Sequence, residues 1–214
     1  MNQSAFIRAR TPEAKAERRA AILAAAAALL AQGGQEHTTL NAIAITAGTT
    51  KSNIYRYFES REEILMRLLA KDLRHVSDAL ASMLTQPRPL SEVAKTVANG
   101  LASNPRLCVL ISIAASTLER NISTDTLRDI KRDMITSLET TAQALHKALP
   151  EIPLALAEQA VHLLFSMIAG LWPLCTPGAA LLALYEEPEF NRFQQNFAET
   201  LAFSTQTMLQ GLLA

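Results

Sequence analysis

The chain has two cysteines, no net charge and no run of period-two alternation, and each shortage removes a class of protein. Cys108 and Cys175 lie far apart in apolar sequence, so neither a disulfide framework nor a metal knuckle is indicated, and two buried thiols remain. Twenty Lys and Arg balance twenty Asp and Glu, leaving no whole-chain field to attract a nucleic acid or a membrane. Catalytic patterns are also missing: there is no Gly-x-Ser-x-Gly elbow, no phosphate-cradling glycine loop and no His-Glu-x-x-His. Glu158 and His162, four apart, could start a metal site, but the local sequence offers no third ligand. No metal, cofactor or enzymatic activity is expected. The Ala-rich run Ala20 to Ala31 follows a charged segment and continues an amphipathic helix, so it is not a signal peptide. The longest apolar stretch, Leu163 to Cys175, is too short to span a bilayer and is broken by Pro173. A cytoplasmic protein with no membrane partner is expected, which leaves the sequon Asn121-Ile122-Ser123 without glycosylation meaning.

What the chain has in quantity is helical periodicity. With 214 residues and 49% hydrophobic composition it can bury a sizeable core. The pattern predicts a nearly all-α fold. Thr11 as N-cap, Pro12 and Glu13 announce a first helix, with an apolar stripe Ile22, Ala26, Leu29, Leu30 and Gly33 as its left-handed stop. Thr39 caps a short second helix whose buried face is Leu40, Ile43, Ala44 and Ala47, and Gly48 ends it. A third helix is expected from Thr50 to Phe58. A fourth begins at Ser60, where Ser60-Arg61-Glu62-Glu63 reads as a capping box: the hydroxyl takes the Glu63 amide and that carboxylate reaches back. Thr85 to Pro89 breaks this helix. Further helices are expected over about 91–102, 105–119 and 124–149, then an apolar one to about Trp172, a Pro/Gly loop, and a last helix from near Pro188.

Charge is unevenly shared. Residues 1–61 hold eight Lys and Arg (Arg8, Arg10, Lys15, Arg18, Arg19, Lys51, Arg56, Arg61) against Glu13, Glu17, Glu36 and Glu59, a net +4; the rest of the chain holds 12 against 16, a net −4. A basic head on an acidic body suits a polyanion, and equally a solvated surface. Two short helices joined by a tight glycine turn, the second opening with small polar residues, make a helix-turn-helix whose second helix enters the DNA major groove. At 100° per residue Ile54 and Phe58 share the side that faces the core. Ser52, Asn53 and Arg56 then point away, and Tyr55 and Tyr57 flank that outward face within reach of phosphates.

The blocks Thr39-Leu40-Asn41-Ala42-Ile43-Ala44, Ala47-Gly48, Ile54-Tyr55-Arg56-Tyr57-Phe58 and Arg61-Glu62-Glu63-Ile64-Leu65 resemble the DNA-binding signature of the TetR family of transcriptional regulators. Thr49 departs from it, valine being frequent there. The resemblance covers about residues 15–70. It implies an N-terminal arm and DNA-binding domain over 1–58 and a helical regulatory and dimerisation domain over 59–214, linked by the helix that starts near 60. It further implies base contacts from Lys51, Ser52 and Arg56, and phosphate contacts from Thr50, Asn53, Tyr55, Tyr57 and Arg61. The partners implied are double-stranded DNA bearing a near-palindromic operator, a second copy of the chain, and a small-molecule effector that releases repression. Leu118 to Asn121 and Gly170 to Pro173 are similar to segments of one subgroup of the family's regulatory domains.

In that family the two C-terminal helices pack against their mates. Phe190, Phe193, Phe197, Leu201, Ser204 and Met208 follow steps of three and four, and Val161, Leu164, Phe165, Ile168 and Trp172 form a second apolar face. These are candidates for a dimer interface, and equally for the interior of one subunit. An effector pocket, apolar with few polar groups, is expected among Cys108, Ile111, Met134, Leu138, Phe165, Met167 and Trp172.

Overall fold

A computed structural model describes residues 11–213; Arg8, Arg10 and the rest of the N-terminal arm lie outside the described residues. Among those described there is no strand. The order is α1 (Pro12–His37), α2 (Leu40–Thr46), α3 (Lys51–Ile54), α4 (Arg61–Met83), α5 (Leu90–Ala102), α6 (Pro105–Ala114), a 3-10 turn at Leu118–Asn121, α7 (Thr124–Ala148), α8 (Leu154–Cys175), α9 (Ala179–Tyr185), a second 3-10 turn at Asn191–Phe193, and α10 (Phe197–Gly211).

Caps set most boundaries. The hydroxyls of Thr11, Thr39, Thr50, Ser60 and Ser123 each accept from a backbone amide three residues on, satisfying one of the four orphan donors at each helix start. At Ser60 the capping box extends one residue further than expected. Glu63 N–H donates to Ser60 Oγ at 3.0 Å, and the Glu63 carboxylate accepts from the amide of Glu59, at 2.7 Å. The left-handed stop of α1 is at Gly34 (φ 69°), not Gly33. Gly33 is helical, and a Cβ there would sit 2.6 Å from the His37 ring. Gly48 (φ 59°) is the second position that needs a glycine; beyond it Thr49 N–H returns to Ala44 O at 2.8 Å, closing α2.

Helices α1 to α3 form a small bundle around Ile22, Ala26, Ile43, Ile54 and Phe58, which are between 0% and 2% exposed. Burying each of the larger side chains contributes about 1.5–3 kcal/mol. Helix α4 leaves this bundle and packs along α7 and α6, while α5 packs on α10, and α6, α7 and α10 all meet α8. A forked ion pair ties α4 to α6: Arg106 donates to both oxygens of Asp72 at 2.7 Å, and Asp72 is only 8% exposed.

Two expectations about the C-terminal third are corrected. The last helix begins at Phe197, not near Pro188; Ala179 to Tyr185 form the short α9, and Phe190 and Phe193 lie in the connection that follows, Phe193 ending the second 3-10 turn. Helix α8 starts at Leu154, so its 22 residues, at mean hydropathy 1.6, are long and apolar enough to cross a membrane by length and composition alone. One of its faces, Ala157, Ala160, Val161, Leu164 and Ile168, is instead covered by the protein's own helices.

Candidate nucleic-acid interface

Helix α3 is held from behind. Ile54 is fully buried and Phe58 nearly so, and after Ile54 the chain tightens into turns, with Tyr57 N–H donating to Ile54 O at 2.8 Å. The regular helix is therefore one turn, Lys51–Ile54, rather than the nine residues the periodicity suggests. Arg19 of α1 fixes the far end: its guanidinium donates to the Tyr57 carbonyl and lies 4.3 Å over the Phe58 ring. Burial lowers the pKa of Arg19, as does the neighbouring Arg67 charge, while Glu63 at 3.8 Å opposes the shift. Periodicity carried no sign of this arginine's role, because its partners are 38 and 39 residues away.

With that support, Thr50, Lys51, Ser52, Tyr55 and Arg56 are exposed on the outer surface, Tyr55 by 52%. Asn53 and Tyr57 are half-buried. Asn53 donates its side-chain amide to Thr49 Oγ1 at 2.8 Å, so the departure from valine at 49 supplies an acceptor that orients Asn53. Ile45, 79% exposed, and Thr46 extend the outer surface from α2, and neither is evident from the apolar stripe of that helix.

Arg61 is placed differently from its expected phosphate contact. Its guanidinium donates to Thr38 O and to Gln35 O, each at 2.5 Å, and pairs with Glu62 at 3.2 Å. It neutralises the carbonyl end of α1 and ties it to the start of α4, a role that sequence spacing cannot reveal because the partners lie 23 and 26 residues back. Both Arg61 and Lys51 border an open hollow of about 480 Å3, together with Gln35, Glu36, Thr39 and Leu40.

The expected pocket residues divide. Ile111, Leu138 and Phe165 line an internal cavity of about 30 Å3, together with Leu73, Val76, Leu80, Leu101, Val161, Leu164, Ile168 and the hydroxyls of Ser77 and Thr141. Thr141 Oγ1 lies 2.9 Å from Ser77 Oγ, joining α7 to α4. Cys108, Met134, Met167 and Trp172 do not line this cavity. Cys108 and Met134 are buried in the packing around it, with the Cys108 thiol 3.4 Å from Leu101 O and its pKa pushed up by burial to about 12. Trp172 meets Phe197 edge to face at 4.9 Å. Ser77 and Thr141 escaped notice because small hydroxyl residues do not interrupt a helical stripe. Outside, Ile135, Leu138, Glu139, Glu158 and His162 border an open depression of about 310 Å3, and among the described residues no group of three His, Cys, Asp or Glu side chains could hold a metal.

The expected interface residues also divide. Val161, Leu164, Phe197 and Leu201 are between 0% and 8% exposed inside the single chain, so they have no surface to offer a second copy. Periodicity marks an apolar stripe without saying what covers it, and on α8 the stripe it marks is the inner one. The exposed large apolar side chains of these helices are Leu154, Leu163, Leu174 and Phe203 (74%), and Met208 is half-buried. Phe193 is 52% exposed under Arg192, and Phe190 is half-buried.

Comparison with known proteins agrees with this arrangement. Residues 22–68 match the family model described as bacterial regulatory proteins, tetR family, and residues 66–214 match the tetracyclin repressor-like C-terminal domain. Among solved structures, a TetR-family transcriptional regulator from Rhodococcus sp. is similar at 20% identity and a TM-score of 0.54, covering 93% of this chain and 100% of that one. The fatty acid degradation regulator FadR from Bacillus halodurans gives 18% and 0.52, covering 90% and 97%. FadR from Bacillus subtilis, in complex with stearoyl-CoA, gives 16% and 0.50, covering 91% and 97%. No curated protein sequence matches the chain.

Proposed function

From the premise that this chain belongs to the TetR family and is a transcriptional regulator, we propose that it acts in the cytoplasm as a homodimeric repressor, binds a near-palindromic operator, and leaves it when a small molecule binds. The observation that carries this reading is the outer surface of α3 and the turn after it: Lys51, Ser52, Tyr55 and Arg56 are exposed while Ile54 and Phe58 anchor the segment from behind. Residues 1–58 serve as the DNA-binding head and 59–214 as the regulatory body. Lys51, Ser52 and Arg56 meet base edges; Thr50, Asn53, Tyr55 and Tyr57 meet phosphates.

A second copy would cover Leu163, Leu174 and Phe203, three large exposed hydrophobics on α8 and α10. Two-fold symmetry then requires an operator whose half-sites are inverted repeats.

The effector reading rests on the internal cavity. At about 30 Å3 it has room for a water molecule. Pockets for small ligands run to about 300–1,000 Å3, so binding requires the helices around it to part. An effector that binds the parted form more tightly shifts the population away from the closed one, and relieves repression if only the closed form spaces the heads for DNA. B. subtilis FadR is in complex with stearoyl-CoA; here the cavity is bordered by apolar side chains and two hydroxyls, with no cation to meet a phosphate or carboxylate. This lining supports a largely apolar effector that Ser77 and Thr141 could meet with a hydrogen bond.

Selection of bound fragments from randomised DNA, with the mass measured in solution, tests the reading. A dimer enriching an inverted repeat is expected. A monomer, or a pool with no inverted repeat, overturns it.

A further inference from the structure

The head meets the body where α1 packs on α4 and α6, and also through one side chain at the link. Ser60, the single residue between Glu59 and α4, is extended (φ −153°, ψ 169°). The Glu59 carboxylate leaves this link and accepts three hydrogen bonds from the start of α7: Ser123 N–H at 2.6 Å, Ser123 Oγ–H at 2.8 Å and Thr126 Oγ1–H at 3.2 Å. These partners are 64 to 67 residues away in the chain. Ser123 is itself the N-cap of α7, so its hydroxyl accepts from Thr126 N–H while donating to Glu59. Meanwhile the Glu59 amide donates to Glu63 at 2.7 Å. One residue, adjacent to Phe58, is thus fixed through its main chain to α4 and through its side chain to α7.

We propose that Glu59 is a positioning residue that sets the orientation of the DNA-binding head on the regulatory body, and so the half-site spacing the dimer accepts. The argument is geometric. The head already packs on α4 and α6 through α1; the Glu59 carboxylate adds an anchor on a different helix, α7, beside the extended link at Ser60, and narrows the orientations that this packing leaves open. A carboxylate at the start of the 25-residue α7 also meets unsatisfied amides and the positive end of the helix, which favours the charged form. Desolvation pushes the Glu59 pKa up, but the bonds from Ser123 and Thr126 outweigh it and hold the group below its ordinary value. The hydrogen bonds of Glu59 run to α4 and α7 and none to α3, so its loss is expected to leave base contacts within a half-site intact.

The inference rests on the dimeric operator reading above, and the experiment separates the two. The full chain, Glu59→Ala and Glu59→Gln are each used to select from a DNA pool of inverted half-sites with varied spacers. Wild type is expected to enrich one spacing. Glu59→Ala is expected to enrich the same half-site sequence with neighbouring spacings raised about fivefold, the effect of roughly 1 kcal/mol. Glu59→Gln, which keeps an oxygen for the Ser123 amide, is expected to fall between them. An unchanged spacing profile for Glu59→Ala overturns the proposal, because a purely structural role lowers the melting temperature without broadening spacing. Loss of half-site sequence preference overturns it too, since Glu59 would then shape α3 itself. If Glu59→Ala fails to fold, Thr126→Val, which removes a single bond at the edge of the contact, is expected to broaden spacing to a smaller extent, and an unchanged profile there overturns the proposal. Failure of wild type to enrich any inverted repeat refutes the dimer reading and this one with it.

Discussion

Arg61→Ala distinguishes a structural clamp from a DNA contact. The guanidinium makes two charge-assisted bonds to main-chain carbonyls at 2.5 Å, one of them on Thr38, which is 0% exposed. Such bonds contribute about 1.5–3 kcal/mol each in favourable settings. The Arg61 side chain is 21% exposed and holds its geometry at an entropic cost, so a net loss of about 1–2 kcal/mol for the pair is reasonable. For a chain of this length that lowers the melting temperature by about 2–8 °C. The second assay is the salt dependence of operator binding, measured well below the transition. A residue that neutralises a phosphate contributes about 0.9 to the slope of log K against log salt, and a clamp contributes nothing. The expected result is a lower melting temperature with an unchanged slope. A slope reduced by about 0.9 per subunit, with the melting temperature intact, would refute the clamp and restore Arg61 to the phosphate contacts.

Arg56→Ala, at an exposed position in the turn after α3, is expected to weaken operator binding by about 1–3 kcal/mol and relax base preference at one position of each half-site; competition binding against substituted operators checks this, and uniform loss across sequences contradicts it. Tyr57→Phe is expected to weaken all sequences alike, because a phosphate contact carries no base information, and a loss confined to one base pair contradicts that assignment. Phe203→Glu is expected to shift the chain toward monomer in sedimentation, since a charge on that 74% exposed ring would be buried without a partner at the proposed interface; an unchanged dimer would place the contact elsewhere. The Cys108 thiol, with its pKa raised to about 12 by burial, is expected to resist alkylation at neutral pH until the chain unfolds. Thiolate forms only as the pH approaches that value, so mass-spectrometric labelling of native Cys108 near pH 7 counts against the packing.

How far each layer was legible depends on the range of the interactions involved. Caps and turns are local: Thr11, Thr39, Thr50 and Ser60 each act within three residues, so the starts of α1 to α4 follow from residue type and spacing. The inward placement of Ile54 and Phe58 is equally local, a matter of helical period, and with the motif from Thr39 to Leu65 it identified the family. Even there the exact position was not legible: two adjacent glycines could end α1, and the stop fell on Gly34 while Gly33 stayed helical against the His37 ring.

Side-chain partners across the fold are a different matter. Whether Arg61 meets a phosphate or Thr38, whether Phe197 and Leu201 meet a second copy or the subunit's own core, and whether Glu59 is solvated or bound to α7 depend on contacts between distant parts of the chain. The sequence by itself determined the all-α class, the starts of α1 to α4 and the inward placement of Ile54 and Phe58, because period and capping act over a few residues. Only the tertiary structure decided which apolar stripe was already covered and which charges were already paired, because that depends on what packs against them.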